Sequence, residues 1–174
     1  MIRVITKARL VALSILVSVG CLQVAKAEDI VENSTILETT LQEKEVQCLA
    51  KNIYFESRGE PKEGMVAVGI VTLNRADHPS YPDSICGVVH HKTKMSNGRT
   101  VCQFSWACNR SRQPKKSDPL WEESVRIAKQ LLTGKFEFWQ TKYENAYSFH
   151  STSVSPRWNL KRVARVGRHI FYRG

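Results

Sequence analysis

Long uninterrupted apolar runs are missing from this chain of 174 residues. The nearest approach, Leu10 to Gly20, falls short of the ~20 residues that a membrane-spanning helix needs, so we expect no stable span after processing. Acidic residues are few, 16 against 26 lysines and arginines, which points away from cationic partners. No cysteines show the paired CxxC spacing of a structural zinc site. Neither HExxH nor GxSxG occurs, so the usual signatures of a zinc protease and of a serine nucleophile elbow are absent. His78, His90, His91, His150 and His169 are dispersed, and an adjacent pair such as His90-His91 diverges from most backbones. We therefore expect no metal and no cofactor. The basic residues are scattered and carry no nucleic-acid-binding motif, which excludes nucleic acid as the expected partner. There is no repeat, no low-complexity tract and no second domain.

The sequence does contain an export signal. Arg3, Lys7 and Arg9 precede the apolar run, and Ala25-Lys26-Ala27 places small residues where a signal peptidase reads them. Residues 1–27 are thus expected to be a cleaved signal peptide, and the mature chain to be periplasmic or secreted. A lipoprotein signal ending at Cys21 is the alternative, but Ser18 stands where that signal wants a larger aliphatic residue. Cleavage leaves about 147 residues, enough for one domain with a real core. It also takes the formal charge from +10 to about +6, a balance suited to anionic wall polymers or anionic lipid surfaces. Cys48, Cys86, Cys102 and Cys108 remain, and in an oxidising compartment four cysteines imply two disulfides with three possible connectivities. Cys102 and Cys108 flank a short apolar loop, which favours that pair and leaves Cys48 with Cys86.

Residues 28–42 are polar with little periodicity and are expected to form a flexible lead-in to a domain over 43–174. From Leu41 the spacing of Val46, Leu49, Ala50, Ile53 and Tyr54 predicts a helix. Glu56 falls at the edge of its apolar arc and Glu60 nearer the middle, although Gly59 predicts that the helix stops before Glu60. Pro61 suits the first turn of a second helix through Leu73, apolar all round and therefore central, with Asn74 and Arg75 ending it. Gly64 and Gly69 within it permit a close neighbour. A loop over Asp77–Ser84 follows, then a short helix within Ser84–His90. A hairpin over Lys92–Phe104 reverses at Asn97-Gly98. Asn109–Ser117 reads as an exposed loop, Asp118-Pro119 caps a helix that ends at Gly134, and strands over 163–166 and 169–172 turn at Gly167. The expected fold is α+β, mainly helical, with a small β-hairpin region.

A carboxylate on the rim of a buried helical face is one whose pKa burial can raise towards neutrality. Glu56 is the better placed of the two glutamates, and its bland alternative is a surface residue paired with Arg58 or Lys51. Glu60 has the stronger structural alternative, a tie for the turn between the helices.

The segments YFESRGEP, VTLNR, CGVV, CQFSWAC and AYSFHSTSVSPRW, in that order, resemble the spore-cortex-lytic-enzyme type of cell wall hydrolase, the SleB-like family. The resemblance covers roughly residues 46–172. It implies a single lysozyme-like domain, similar to lytic transglycosylases, acting on peptidoglycan at the β-1,4 link between N-acetylmuramic acid and N-acetylglucosamine. It places the catalytic acid at Glu56, in agreement with the helical position. Glu60 and Asp77 are the candidates for a second carboxylate in a conventional hydrolase. Gln103, Phe104 and Ser105, in the Cys102–Cys108 loop, suit a sugar site, since amides satisfy hydroxyl and N-acetyl groups and aromatic faces stack on rings. Core packing is the alternative for Phe104 and Trp106. Tyr147 and His150 lie on an expected strand that the resemblance sets beside the cleft. Val154, Pro156 and Trp158 read as a packing element, with a stacking platform as the alternative for Trp158. Two departures from the family pattern stand out. Ser148 replaces the first of two histidines, and Asn109-Arg110 follows CQFSWAC where the family has Asp-Gly. The alternatives to a monomeric transglycosylase are a muramidase using water and a catalytically silent peptidoglycan-binding module.

Overall fold

The computed structural model describes residues 35–109 and 112–174. The expected signal peptide, Cys21 and Arg110 lie outside them. The chain divides into two units, Met1–Gln42 and Glu43–Gly174. Helix α1 is helical over residues 35–56. Its residues 35–42 belong to the first unit and fall in the stretch expected as a flexible lead-in; they are helical, and Thr39 and Thr40 return their hydroxyls to the carbonyls of Thr35 and Ile36.

In the second unit, Val46, Leu49, Ala50 and Ile53 of α1 are buried along the predicted stripe. They pack on α2 (Lys62–Ala76), whose residues Gly64 to Thr72 are buried without interruption. A helix covered on every side must be central, as its all-round apolar sequence predicted. Pro61 is the N-cap and not the first helical residue, and the helix runs past Asn74 and Arg75. The reason is that both polar side chains are satisfied within the fold. Asn74 donates to the carbonyls of Tyr143 and Ala146, and Arg75 to that of Tyr147.

At Gly69 an added Cβ would stand 2.5 Å from Leu131 Cδ1 and 3.1 Å from Ile53 Cδ1, so here two neighbouring helices lean on bare backbone. Gly69→Val should therefore cost about 1–3 kcal/mol by overpacking. A urea midpoint no lower than that of the parent would contradict this close approach.

Helix α3 (Ile85–Val89) starts at Ser84, whose hydroxyl accepts from Gly87 N–H. Strands β1 (Lys92–Lys94) and β2 (Thr100–Cys102) pair antiparallel across Asn97-Gly98, the predicted hairpin. A 3-10 turn (Ser105–Cys108) follows. Helix α4 (Pro119–Leu132) is capped by Asp118, whose carboxylate accepts from Leu120 N–H. Helix α5 (Glu137–Lys142) has no counterpart in the sequence reading. Six residues with no buried side chain leave no periodic signal, and Lys142 ties α5 to Glu63 of α2. Strands β3 (Ala146–Ser151), β4 (Lys161–Val166) and β5 (His169–Arg173) form one antiparallel sheet in the order β3-β5-β4.

Both disulfides pair as the loop argument favoured. Cys48–Cys86 joins α1 to α3, and Cys102–Cys108 closes the 3-10 segment. The architecture is the expected α+β, mainly helical one. No helix of the described residues is long and apolar enough to cross a membrane.

Candidate active site

Glu56 is the last residue of α1. The chain turns away immediately after it: Ser57 N–H bonds the Ile53 carbonyl, Ser57 Oγ donates to the same oxygen, and Glu60 N–H closes on the Ser57 carbonyl. The Glu56 side chain stays half-buried at the helix end and makes no hydrogen bond or ion pair among the described residues. Burial pushes its carboxyl up from 4.5 to about 7, and the opposing pull comes from the Arg75 guanidinium. Its place at the negative end of the helix dipole favours the neutral form in the same direction. Among the described residues no other carboxylate acts on it. The bland pairing fails as well. Arg58 turns to Asp118, at 4.0 Å, and to the Tyr54 ring.

Arg75, the cation that acts on Glu56, escaped the sequence reading because a cation near the end of a helix looks like a terminus. It is buried, and desolvation lowers its pKa. Its Nε donates to the Tyr147 carbonyl at 2.8 Å, while the guanidinium lies over the rings of Tyr81 (5.6 Å) and Phe104 (5.4 Å). An arginine directly after the long apolar run of α2 was the available signal. Arg75→Met removes the charge that holds Glu56 down. The alkaline limb of a pH–rate profile should then move above about 7, and a limb that stays put or falls would contradict the coupling.

Around Arg75 the structure gathers Tyr147, Phe104 and, electrostatically, Glu56. Phe104 is only 3% exposed, so it belongs to the core and cannot present a face to a sugar, contrary to the expectation. Gln103 and Ser105 flank it; Gln103 is half-buried with its N–H on the His91 carbonyl, and Ser105 is exposed. Trp106 is likewise core: its Nε1 donates to buried Asn52, and its ring stacks on Phe55 at 4.7 Å.

Glu60 has taken the structural role. Its nearly inaccessible carboxylate accepts from the Arg168 backbone N–H (2.9 Å) and Nε (3.1 Å), tying the α1–α2 turn to the β4–β5 turn. With both oxygens engaged it is not free to bind a sugar. Asp77 caps α2 and, with Glu137 and Glu144, lines a cavity whose walls do not include Glu56.

His150 stands apart from Tyr147. Tyr147 stands at the bulge of β3, where its ring meets His78 and Tyr81. His150 stacks on Tyr172 and meets Trp158 edge-on at 5.3 Å. Its Nδ1 faces the Ser151 carbonyl at 2.8 Å and must donate there, leaving Nε2 to accept from the Tyr172 hydroxyl at 3.0 Å. Val154 and Trp158 are 55% and 44% exposed, so the expected packing element is instead open surface, and Trp158 offers a ring face. No group of three or more His, Cys, Asp or Glu side chains is poised to hold a metal among the described residues.

The family profile described as Cell Wall Hydrolase matches residues 59–172, beginning three residues after Glu56. The spore cortex-lytic enzyme of Bacillus subtilis is 30% identical over 73% of this chain and 37% of its own length. That of Halalkalibacterium halodurans is 39% identical over 81% of this chain and 38% of its own. The chain thus spans well under half the length of these curated relatives. Among solved structures, the catalytic domain of Bacillus cereus SleB is similar at a TM-score of 0.55 and 23% identity, covering 75% of this chain and 91% of that one. The catalytic domain of the germination-specific lytic transglycosylase SleB from Bacillus anthracis gives 0.53. These two likenesses bear on the fold.

Proposed function

Since the chain belongs to the cell wall hydrolase family, we propose that it cleaves peptidoglycan glycan strands at the β-1,4 bond between N-acetylmuramic acid and N-acetylglucosamine, as a lytic transglycosylase with Glu56 as acid and base. The observation that carries this reading is Glu56 itself: a carboxyl raised to about 7 by burial, with no second carboxylate acting on it. A group with that pKa is substantially protonated near neutral pH and can give its proton to the bridging oxygen as the glycosidic bond breaks. The resulting carboxylate then takes the proton of the sugar's own 6-hydroxyl, whose oxygen closes on the anomeric carbon to give the anhydro product.

A retaining hydrolase would need a second carboxylate about 5 Å from the first, and an inverting one a partner at roughly 6.5–9.5 Å. Glu60 is engaged by Arg168, and Asp77 does not act on the Glu56 carboxyl, which favours the single-carboxylate route. Gln103, Ser105 and Tyr147 are candidates to hold the glycan, and the exposed ring of Trp158 beside His150 is another. The enzyme acts outside the cytoplasm as a monomer, after removal of residues 1–27.

Digesting purified sacculi with the mature chain and weighing the soluble muropeptides tests this. Anhydro-muramic ends are expected. Reducing ends would replace the transglycosylase by a water-using muramidase, and retained binding without release would leave only a binding module.

A further inference from the structure

A second cavity, of about 360 Å³, is shared by α1, the start of β1 and the Cys102–Cys108 loop. Its charged lining is of one sign: Lys51, Lys92 and Arg112, with the amides of Asn109 and Gln113 between them and Trp106 as an apolar wall. None of the three cations has a carboxylate within ion-pair distance among the described residues. Three like charges around one void repel one another and raise the local concentration of anions. The wall itself is fixed, because the Trp106 ring lies on Phe55 and its Nε1–H is held by Asn52. His90 meets the same ring edge-on at 6.3 Å. The size is that of a pocket for a small ligand or for one branch of a larger one.

Asn109 makes the lining wholly cationic. Its neutral amide, directly after CQFSWAC, brings no negative charge into the cavity.

We infer that this cavity binds a carboxylate-bearing peptide, the stem that branches from the muramyl sugar of the strand being cut. The inference rests on the proposed action on peptidoglycan. Phe55, the neighbour of Glu56, packs on the cavity wall at 4.7 Å, so a strand seated at Glu56 can send its branch between Lys51, Lys92 and Arg112. The three cations pair with the stem's free carboxylates.

The test is a titration of the mature protein with a soluble stem tetrapeptide, its fully amidated counterpart and inorganic phosphate, followed by amide chemical shifts. The free-acid peptide should bind, weaken with added salt, and lose about tenfold in affinity on amidation. Asn109→Asp, and Lys92→Glu on the exposed β1 strand, should each weaken it by about tenfold through the added negative charge. Turnover provides a second readout. The parent should prefer stem-bearing strands to strands stripped by an amidase, through KM, and Asn109→Asp should erase that preference. Equal binding of the amidated peptide, phosphate competing as well as the free acid, or no change in either folded variant would overturn the assignment. Failure to cut both kinds of strand would sink the glycan-cleavage proposal instead, and the titration would still decide this site.

Discussion

Glu56→Gln should lower the release of muropeptides by about 10²–10⁴-fold, the usual size of a general acid–base contribution, with sacculus binding retained. The parent enzyme should also lose activity as pH rises through about 7, because only the protonated carboxyl can donate. The same substitution carries a stability signature of opposite sign. In the unfolded chain this carboxyl releases its proton near 4.5 and in the fold near 7, so folding takes up a proton between those values. The stability contributed by the neutral form is complete below about 4.5 and is lost as pH rises to about 7. At pH 8 the parent folds with a desolvated charge, which costs up to ~3 kcal/mol and less to the extent that water reaches the half-buried group. Glutamine carries no such charge, so the inactive variant should be the more stable one at pH 8 and lose that advantage by pH 4. Chemical denaturation of both proteins at the two pH values measures this. Equal stability at pH 8 would mean that Glu56 is freely hydrated and that the acid lies elsewhere.

Breaking the Cys48–Cys86 bridge with a paired serine substitution is expected to cost about 4 kcal/mol, from the chain entropy of a loop with a sequence separation of 38. The Cys102–Cys108 bridge, with a separation of 6, should cost about 2 kcal/mol by the same argument. The two losses also differ in kind. The first loosens α1, which carries Glu56, from α3, so melting temperature and activity should fall together. The second frees the loop bearing Gln103, Ser105 and one wall of the cationic cavity, so KM should rise more than stability falls. Matching thermal unfolding curves for the two double variants would contradict the entropic ranking.

Much of the frame was legible because its signals are local. The stripe on α1, the unbroken apolar run of α2, Asn97-Gly98 and Asp118-Pro119 each determine their element with little help from the rest of the chain. What escaped depends on long-range contacts. Arg75 looks like a helix end until Tyr147 and Phe104, distant in sequence, are seen to enclose it. Trp158 reads as core by composition, but no element lies over it, and its neighbours are His150 and Tyr172. Phe104 reads equally as sugar platform or as core, and only packing beneath the guanidinium decides between them. Glu60 shows the limit of the helical wheel: its angular position was as good as that of Glu56, but the turn after Gly59 carries it to another partner.

The bond between Glu60 and Arg168 makes a remote stretch of chain part of the acid's scaffold. The tip of the last hairpin has the appearance of a disposable surface loop, yet its Gly167 lies directly against the carboxylate that anchors the turn four residues beyond Glu56. An epitope or affinity sequence spliced into that tip would be felt where the proton is held. Engineering of this enzyme should use other loops.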